Sequence, residues 1–186
     1  PVAVNLSVRN LHDPKITEVI LKTLRRYDLK PSALIIELTE TAVMTDSNRA
    51  LSILLALAQE GVKVSVDDFG TGYSSLASLQ RLPAAELKID RAFVMDLETS
   101  ETSRSIAKSI IQLARTCNLR VVAEGVETTG QRDILVGMGC DDLQGFLFSM
   151  PVSADELKRM SMNRFSANTA DFSDSLFATD FMNDLR

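Results

Sequence analysis

Residues 62–76 read VKVSVDDFGTGYSSL: an apolar run on Val62, Val64 and Val66 stops at two adjacent acids, Asp67 and Asp68, and passes into a loop with two glycines. β-Branched residues at every second position mark a strand, and Gly70 and Gly72 mark the turn out of it. Ser65 and Asp67 share one parity while Val64 and Val66 take the other, so the strand offers valines to one layer and Asp67 to the opposite side. Side-by-side carboxylates repel, and a strand tip needs at most one of them as a cap or turn former. The second acid has to be explained by something else.

The same pattern repeats in both directions along the chain. VAVN (2–5) and LIIEL (34–38) read as strands before it, and ELKID (86–90), RVVAE (120–124) and LQGFLF (143–148) as strands after it. Periodic helical segments lie between them. Asp13 caps and Pro14 starts a helix with Ile16, Val19, Ile20, Leu24 and Tyr27 on one face. Leu51, Leu54, Leu55 and Ala58 line a second, which stops at Gly61. A short helical turn near 74–82 ends at Pro83, and Ile106, Ile110, Leu113 and Cys117 line a helix closing at Asn118. Another helix near 129–138 ends around Gly139, and Ser153 with Glu156 forms a capping box that opens a last short helix.

Strand and helix alternating without a break predict an α/β fold with a parallel sheet. Six such units suit most of a TIM-like (β/α)8 barrel, whose usual size is roughly 250 residues; the chain is then about two units short, and those are expected before Pro1. Residues 1–160 are expected to form this truncated domain. Residues 161–186, rich in Ser, Asn, Asp and Phe, read as an acidic tail or linker, with Phe177, Phe181 and Leu185 on one side if helical.

Composition narrows the function classes. The 186 residues are 45% hydrophobic and 24% charged, enough for one domain with a core. A net charge of −5 argues against binding a long nucleic acid by phosphate neutralisation, whereas a small anion remains accessible through metal ions. One histidine, His12, and two distant cysteines, Cys117 and Cys140, exclude a structural zinc site. The cysteines read as small buried residues in a reducing compartment. No membrane span or signal peptide is visible, so no membrane contact by this segment and a cytoplasmic location are expected.

The strand tips carry the chemistry. Asn5, Glu37, Asp67 with Asp68, and Glu124 close apolar runs; Lys88 lies within the fourth strand and Gln144 near the start of the sixth. A parallel barrel brings these ends to one rim, where barrel enzymes work. Singly, each has an ordinary role: Asn5 as an Asx turn, Lys88 as a snorkelling surface lysine. Together they place four carboxylates in one partly desolvated mouth, and bound divalent cations would remove the repulsion. An all-oxygen donor set of Asp, Glu and Asn suits Mg²⁺ or Mn²⁺, and adjacent carboxylates allow one to bridge two ions.

VNLS, ELTE, DDFGTGYSSL, LKID, VVAEGVET and GCDDLQGFLFSMP occur in this order, and together they resemble the EAL-domain family of bacterial cyclic-di-GMP phosphodiesterases over roughly residues 2–160. The resemblance implies a barrel whose first strand runs against the others. It also implies hydrolysis of one phosphodiester bond of cyclic-di-GMP to linear 5′-pGpG with two Mg²⁺ or Mn²⁺ ions. By motif, Asn5, Glu37, Asp67, Asp68 and Glu124 would bind metal, with Asp68 reaching the second ion or the attacking water. Lys88 would orient that water, so Lys88, Asp68 and Glu124 are the candidate catalytic groups. Gln144 would lie near the water or substrate and Glu127 near a guanine, while Glu40 would anchor the loop that carries Gly70, Thr71 and Gly72.

The Glu-Ala-Leu that names the family, whose glutamate is a metal ligand, does not occur in this sequence, and neither does the nearby phosphate-binding arginine. With the downstream motifs intact, the expectation is a truncated active phosphodiesterase, weak or inert without its upstream segment. A sensory or GGDEF-type domain is expected upstream. The alternative is a non-catalytic cyclic-di-GMP receptor or interaction module. The open sheet edge of a shortened barrel makes a homodimer a further expectation.

Overall fold

The computed structural model describes residues 1–45, 47–70 and 76–167. Six strands lie in sequence order, every neighbouring pair parallel: β1 (Val2–Asn5), β2 (Leu34–Thr39), β3 (Lys63–Phe69), β4 (Glu86–Ile89), β5 (Arg120–Ala123) and β6 (Asp142–Leu143). The helices are α1 (Val8–Leu11), α2 (Ile16–Arg26), α3 (Glu40–Thr45), α4 (Ser47–Gln59), α5 (Leu76–Arg81), α6 (Arg91–Met95), α7 (Glu101–Thr116), α8 (Thr129–Met138) and α9 (Ala154–Ala167). Sequential parallel strands with helical crossovers make this the expected barrel architecture, present here as a six-stranded sheet with β1 and β6 at its edges.

Strand parity separates core from chemistry. Ile36 and Leu38, Val64 and Val66, Leu87 and Ile89, and Val121 and Ala123 are buried on the helix-facing side, joined by Leu54, Leu57, Ile111 and Leu135 from the helices. These apolar residues form two adjacent clusters, with Leu82 packed against both. The opposite parity carries Asn5, Glu37, Ser65, Glu86 and Arg120 in one paired row. The burial of aliphatic side chains on one face holds the sheet, and leaves the other face free to be polar.

Several expectations change. The sixth strand is two residues, not six, because the chain wraps around Val126 after Leu143: the Val126 N–H donates to Gln144 O, and Val126 O accepts the Leu147 N–H. A Cβ on Gly145 would lie 2.1 Å from Val126 O, so this wrap needs glycine. Gly145→Ala is expected to lower stability by about 1–3 kcal/mol, read by urea unfolding, because backbone rather than a flexible side chain must give way. All six described strands are parallel, as the alternation of strand and helix predicts. Helix α2 starts at Ile16, after Asp13 accepts the Lys15 N–H, and of its expected face Val19 and Tyr27 are exposed while Leu21 packs inward. The last helix is not short: it runs through Ala167, across the residue-160 boundary, although Ser153 Oγ does accept the Glu156 N–H. Thr71, Gly72, Phe177, Phe181 and Leu185 lie outside the described residues.

Both cysteines are free. Burial pushes the Cys140 thiol up to about 12, and its Sγ lies 3.2 Å from Asp142 O and 3.5 Å from Val121 O. In the native protein at pH 8, Cys140 is therefore expected to resist iodoacetamide, with peptide mapping finding label there only after unfolding.

Candidate active site

A change of register in β3 explains the paired acids. Val66 pairs with Leu87 and Phe69 with Ile89, so β3 advances three residues while β4 advances two. Asp67 and Asp68 thus stand together opposite Lys88. Such a bulge is rare between parallel strands, and it brings to one side two side chains that a regular strand would send to opposite faces. Asp68 sits at φ 54°, a conformation costly for a residue with a Cβ, and its N–H donates to Asp67 Oδ1 at 2.9 Å.

Lys88 is buried in the middle of this group, not snorkelling at the surface. Its Nζ lies 2.8 Å from Glu37 Oε1, 3.3 Å from Asp67 Oδ2 and 2.5 Å from Glu124 Oε1. Side chains from β2, from β3 and from the residue after β5 therefore converge on one ammonium. The repulsion that divalent cations are expected to remove is met in part by a cation of the protein's own. One ammonium still faces four carboxylates. Burial pulls the Lys88 ammonium down, but hydrogen bonds to Glu124 and Glu37 and the fields of Glu124 and Asp67 outweigh it, so Lys88 stays charged. Burial raises Glu124 above the ordinary glutamate range, Lys88 offsetting part of the effect. Asp68 is raised by burial, then by the Asp67 charge and by its interaction with Asp90.

Oxygens of Asp67, Asp68 and Glu124 come within 4.8 Å of one another, a hard-oxygen cluster that fits a divalent cation. Glu37 is tied to it through Lys88. Asn5 is exposed on β1, in register beside Glu37. Glu40, buried at the start of α3, accepts the Gly70 N–H at 3.1 Å, and Gly70 has a φ of 100° that favours glycine. Glu127 and Gln144 stand apart from the carboxylate cluster, lining with Arg91, Glu124, Gly145 and Phe146 an adjoining cavity of about 180 Å³. Asp90 and Arg91 are missing from the sequence reading. Asp90 caps α6 by accepting the Ala92 N–H at 2.6 Å, and a cap at that position hides its second partner, Asp68.

Below this cluster, Ser65 Oγ donates to Glu86 Oε1 at 3.0 Å, and Arg120 pairs with Asp142 at 2.6 Å. Burial raises the Glu86 carboxyl above its ordinary range despite the Ser65 hydrogen bond. The inner face is thus polar in two successive tiers. Among the described residues, no helix is long and apolar enough to cross a membrane.

Comparison with known proteins agrees with this arrangement. The EAL domain family matches residues 1–151. The chain is 47% identical over 156 residues to the bifunctional diguanylate cyclase/cyclic di-GMP phosphodiesterase MucR of Pseudomonas aeruginosa, covering 84% of this chain and 23% of that protein. It is 38% identical to the cyclic di-GMP phosphodiesterase PdeR of Escherichia coli, over 85% of this chain and 24% of PdeR. It therefore spans about a quarter of the length of these curated relatives. Among solved structures, the PaMucR phosphodiesterase in complex with c-di-GMP superposes with a TM-score of 0.80 at 47% identity, covering 83% of this chain and 63% of that one. A manganese/cy-diGMP complex of Klebsiella pneumoniae BlrP1 gives a TM-score of 0.75 at 37% identity, covering 80% and 38%. Ordered motifs, parallel strands and a family match across most of the residues converge on one conclusion: the chain belongs to the EAL-domain family.

Proposed function

We propose that this chain is the C-terminal part of a cyclic-di-GMP phosphodiesterase domain that hydrolyses one phosphodiester bond to leave linear 5′-pGpG. The observation that supports it most directly is the Lys88 ammonium held among Glu37, Asp67 and Glu124, with Asp68 brought alongside by the bulge. Asn5, Glu37, Asp67, Asp68 and Glu124 would hold two Mg²⁺ or Mn²⁺ ions. Bound there, such ions would supply Lewis acidity toward the attacking water and the phosphate oxygens.

The residues of the chain have separate tasks. Lys88, protonated, orients the attacking water and offsets phosphate charge. The water oxygen bonds to phosphorus, the bond from phosphorus to the 3′ oxygen breaks, and the 3′ oxygen leaves with a proton. Asp68, brought beside Asp67 by the bulge, would receive the water's proton. Glu40 holds the Gly70 backbone by accepting its N–H. Gln144 and Glu127 contact the dinucleotide from the adjoining cavity. The parent protein works in the cytoplasm, with a sensory or GGDEF-type domain ahead of this one and a homodimer as its assembly.

Incubating the complete domain with cyclic-di-GMP and Mn²⁺ tests this by chromatography of the nucleotides. Formation of 5′-pGpG that stops with EDTA is expected. Binding under saturating metal without any cleavage would instead assign a receptor role.

A further inference from the structure

Resting on the cyclic-di-GMP reading, we propose that Arg91 is a positioning residue for ligand recognition: it holds the Glu127 carboxylate at the cavity beside Glu124, and so sets affinity without taking part in bond cleavage. Arg91 Nη2 lies 2.7 Å from Glu127 Oε1. Both side chains are largely exposed, at 52% and 41%, so the pair adds little to folding stability. Its value lies in geometry. The Arg91 stem runs over Gly125, where the backbone takes φ +70° and a Cβ would fall 2.3 Å from Arg91 Cγ. The other side of the pair is equally fixed, because the Glu127 N–H donates to Gln131 Oε1 at 2.7 Å and Gln131 Nε2 donates to Met95 O at 3.3 Å. Arg91 opens α6, whose last residue is Met95, so one short helix supports the Glu127 backbone at one end and its carboxylate at the other.

This placement matters because Glu127 and Glu124 lie three residues apart and line the same cavity. A carboxylate accepts hydrogen bonds only, so its direction decides which N–H donors of a ligand it meets. Without Arg91, Glu127 gains rotamers and must be ordered at the moment of binding, a cost that falls on affinity and not on the chemical step.

Steady-state hydrolysis by the full protein tests this. Arg91→Ala is expected to raise KM about tenfold with kcat changed less than about twofold, the loss of one charge-assisted hydrogen bond. Arg91→Lys should recover much of the loss. In a Glu127→Ala background, Arg91→Ala should add nothing, since its effect passes through Glu127. An unchanged KM in Arg91→Ala, or an effect that multiplies with Glu127→Ala, overturns the proposal. If the wild-type protein neither binds nor cleaves cyclic-di-GMP, the functional reading falls by itself. The ¹³C shift of the Glu127 carboxyl in ligand-free protein then decides the link: a change in Arg91→Ala upholds it, and no change overturns it.

Discussion

Lys88→Met is expected to produce the largest loss, and in two separate measurements. In metal-free protein, chemical unfolding should show a destabilisation of about 3–5 kcal/mol, the range for removing one member of a buried ion pair. Lys88 is 4% exposed and touches Glu37, Asp67 and Glu124, so methionine leaves three carboxylates facing one another without a counter-charge. Hydrolysis of cyclic-di-GMP by the complete domain should fall by roughly 10²–10⁴-fold, the usual weight of a group acting on the reacting water. Saturating Mn²⁺ should return part of the stability, since ions that bind only the folded state stabilise it. It should not return the activity. A variant as stable as the parent without metal would show that the ammonium is not the internal counter-charge.

Asp67→Asn should separate the two roles, because its effect on folding has the opposite character. One negative charge leaves an over-negative group while Lys88 keeps Glu37 and Glu124, so metal-free stability should stay within about 1 kcal/mol of the parent. Metal binding should suffer severely. Outer-shell changes already cost about 10–100-fold in metal affinity, and Asp67 is proposed as a direct ligand, so the loss should reach at least the upper end of that range. Calorimetric titration with Mn²⁺ reads it directly, and the metal-induced rise in Tm should shrink with it. Undiminished Mn²⁺ affinity in this variant would remove Asp67 from the ligand set.

Much of this site was legible in one dimension because parallel strands obey a simple rule: polar residues at their C-terminal ends gather on one rim. Glu37, Asp67 and Glu124 were identified in that way, and Lys88 draws them together. Glu40 is singled out by a motif, and its carboxylate accepts the Gly70 N–H. Helices α1, α3 and α6 have four to six residues, too few to display a helical period, whereas α5, equally short, is marked in the sequence by Pro83 beyond its end. The sixth strand was drawn too long because apolar residues in LQGFLF look the same whether they pair with a strand or wrap around Val126. Arg91 and Asp90 were missed for a related reason: each follows a strand as an ordinary surface or capping residue, and its significant partner lies 36 residues away for Arg91 and 22 for Asp90.

The order of apolar and polar residues by itself determined the alternating α/β plan, the helix-facing core and the gathering of carboxylates at one rim. Only the tertiary structure decided how Asp67 and Asp68 share a side and which cation they face. Alternation within a strand is local and can be read from parity, but a bulge exists only relative to the neighbouring strand, and a buried ammonium is tolerable only when carboxylates from other strands arrive to meet it.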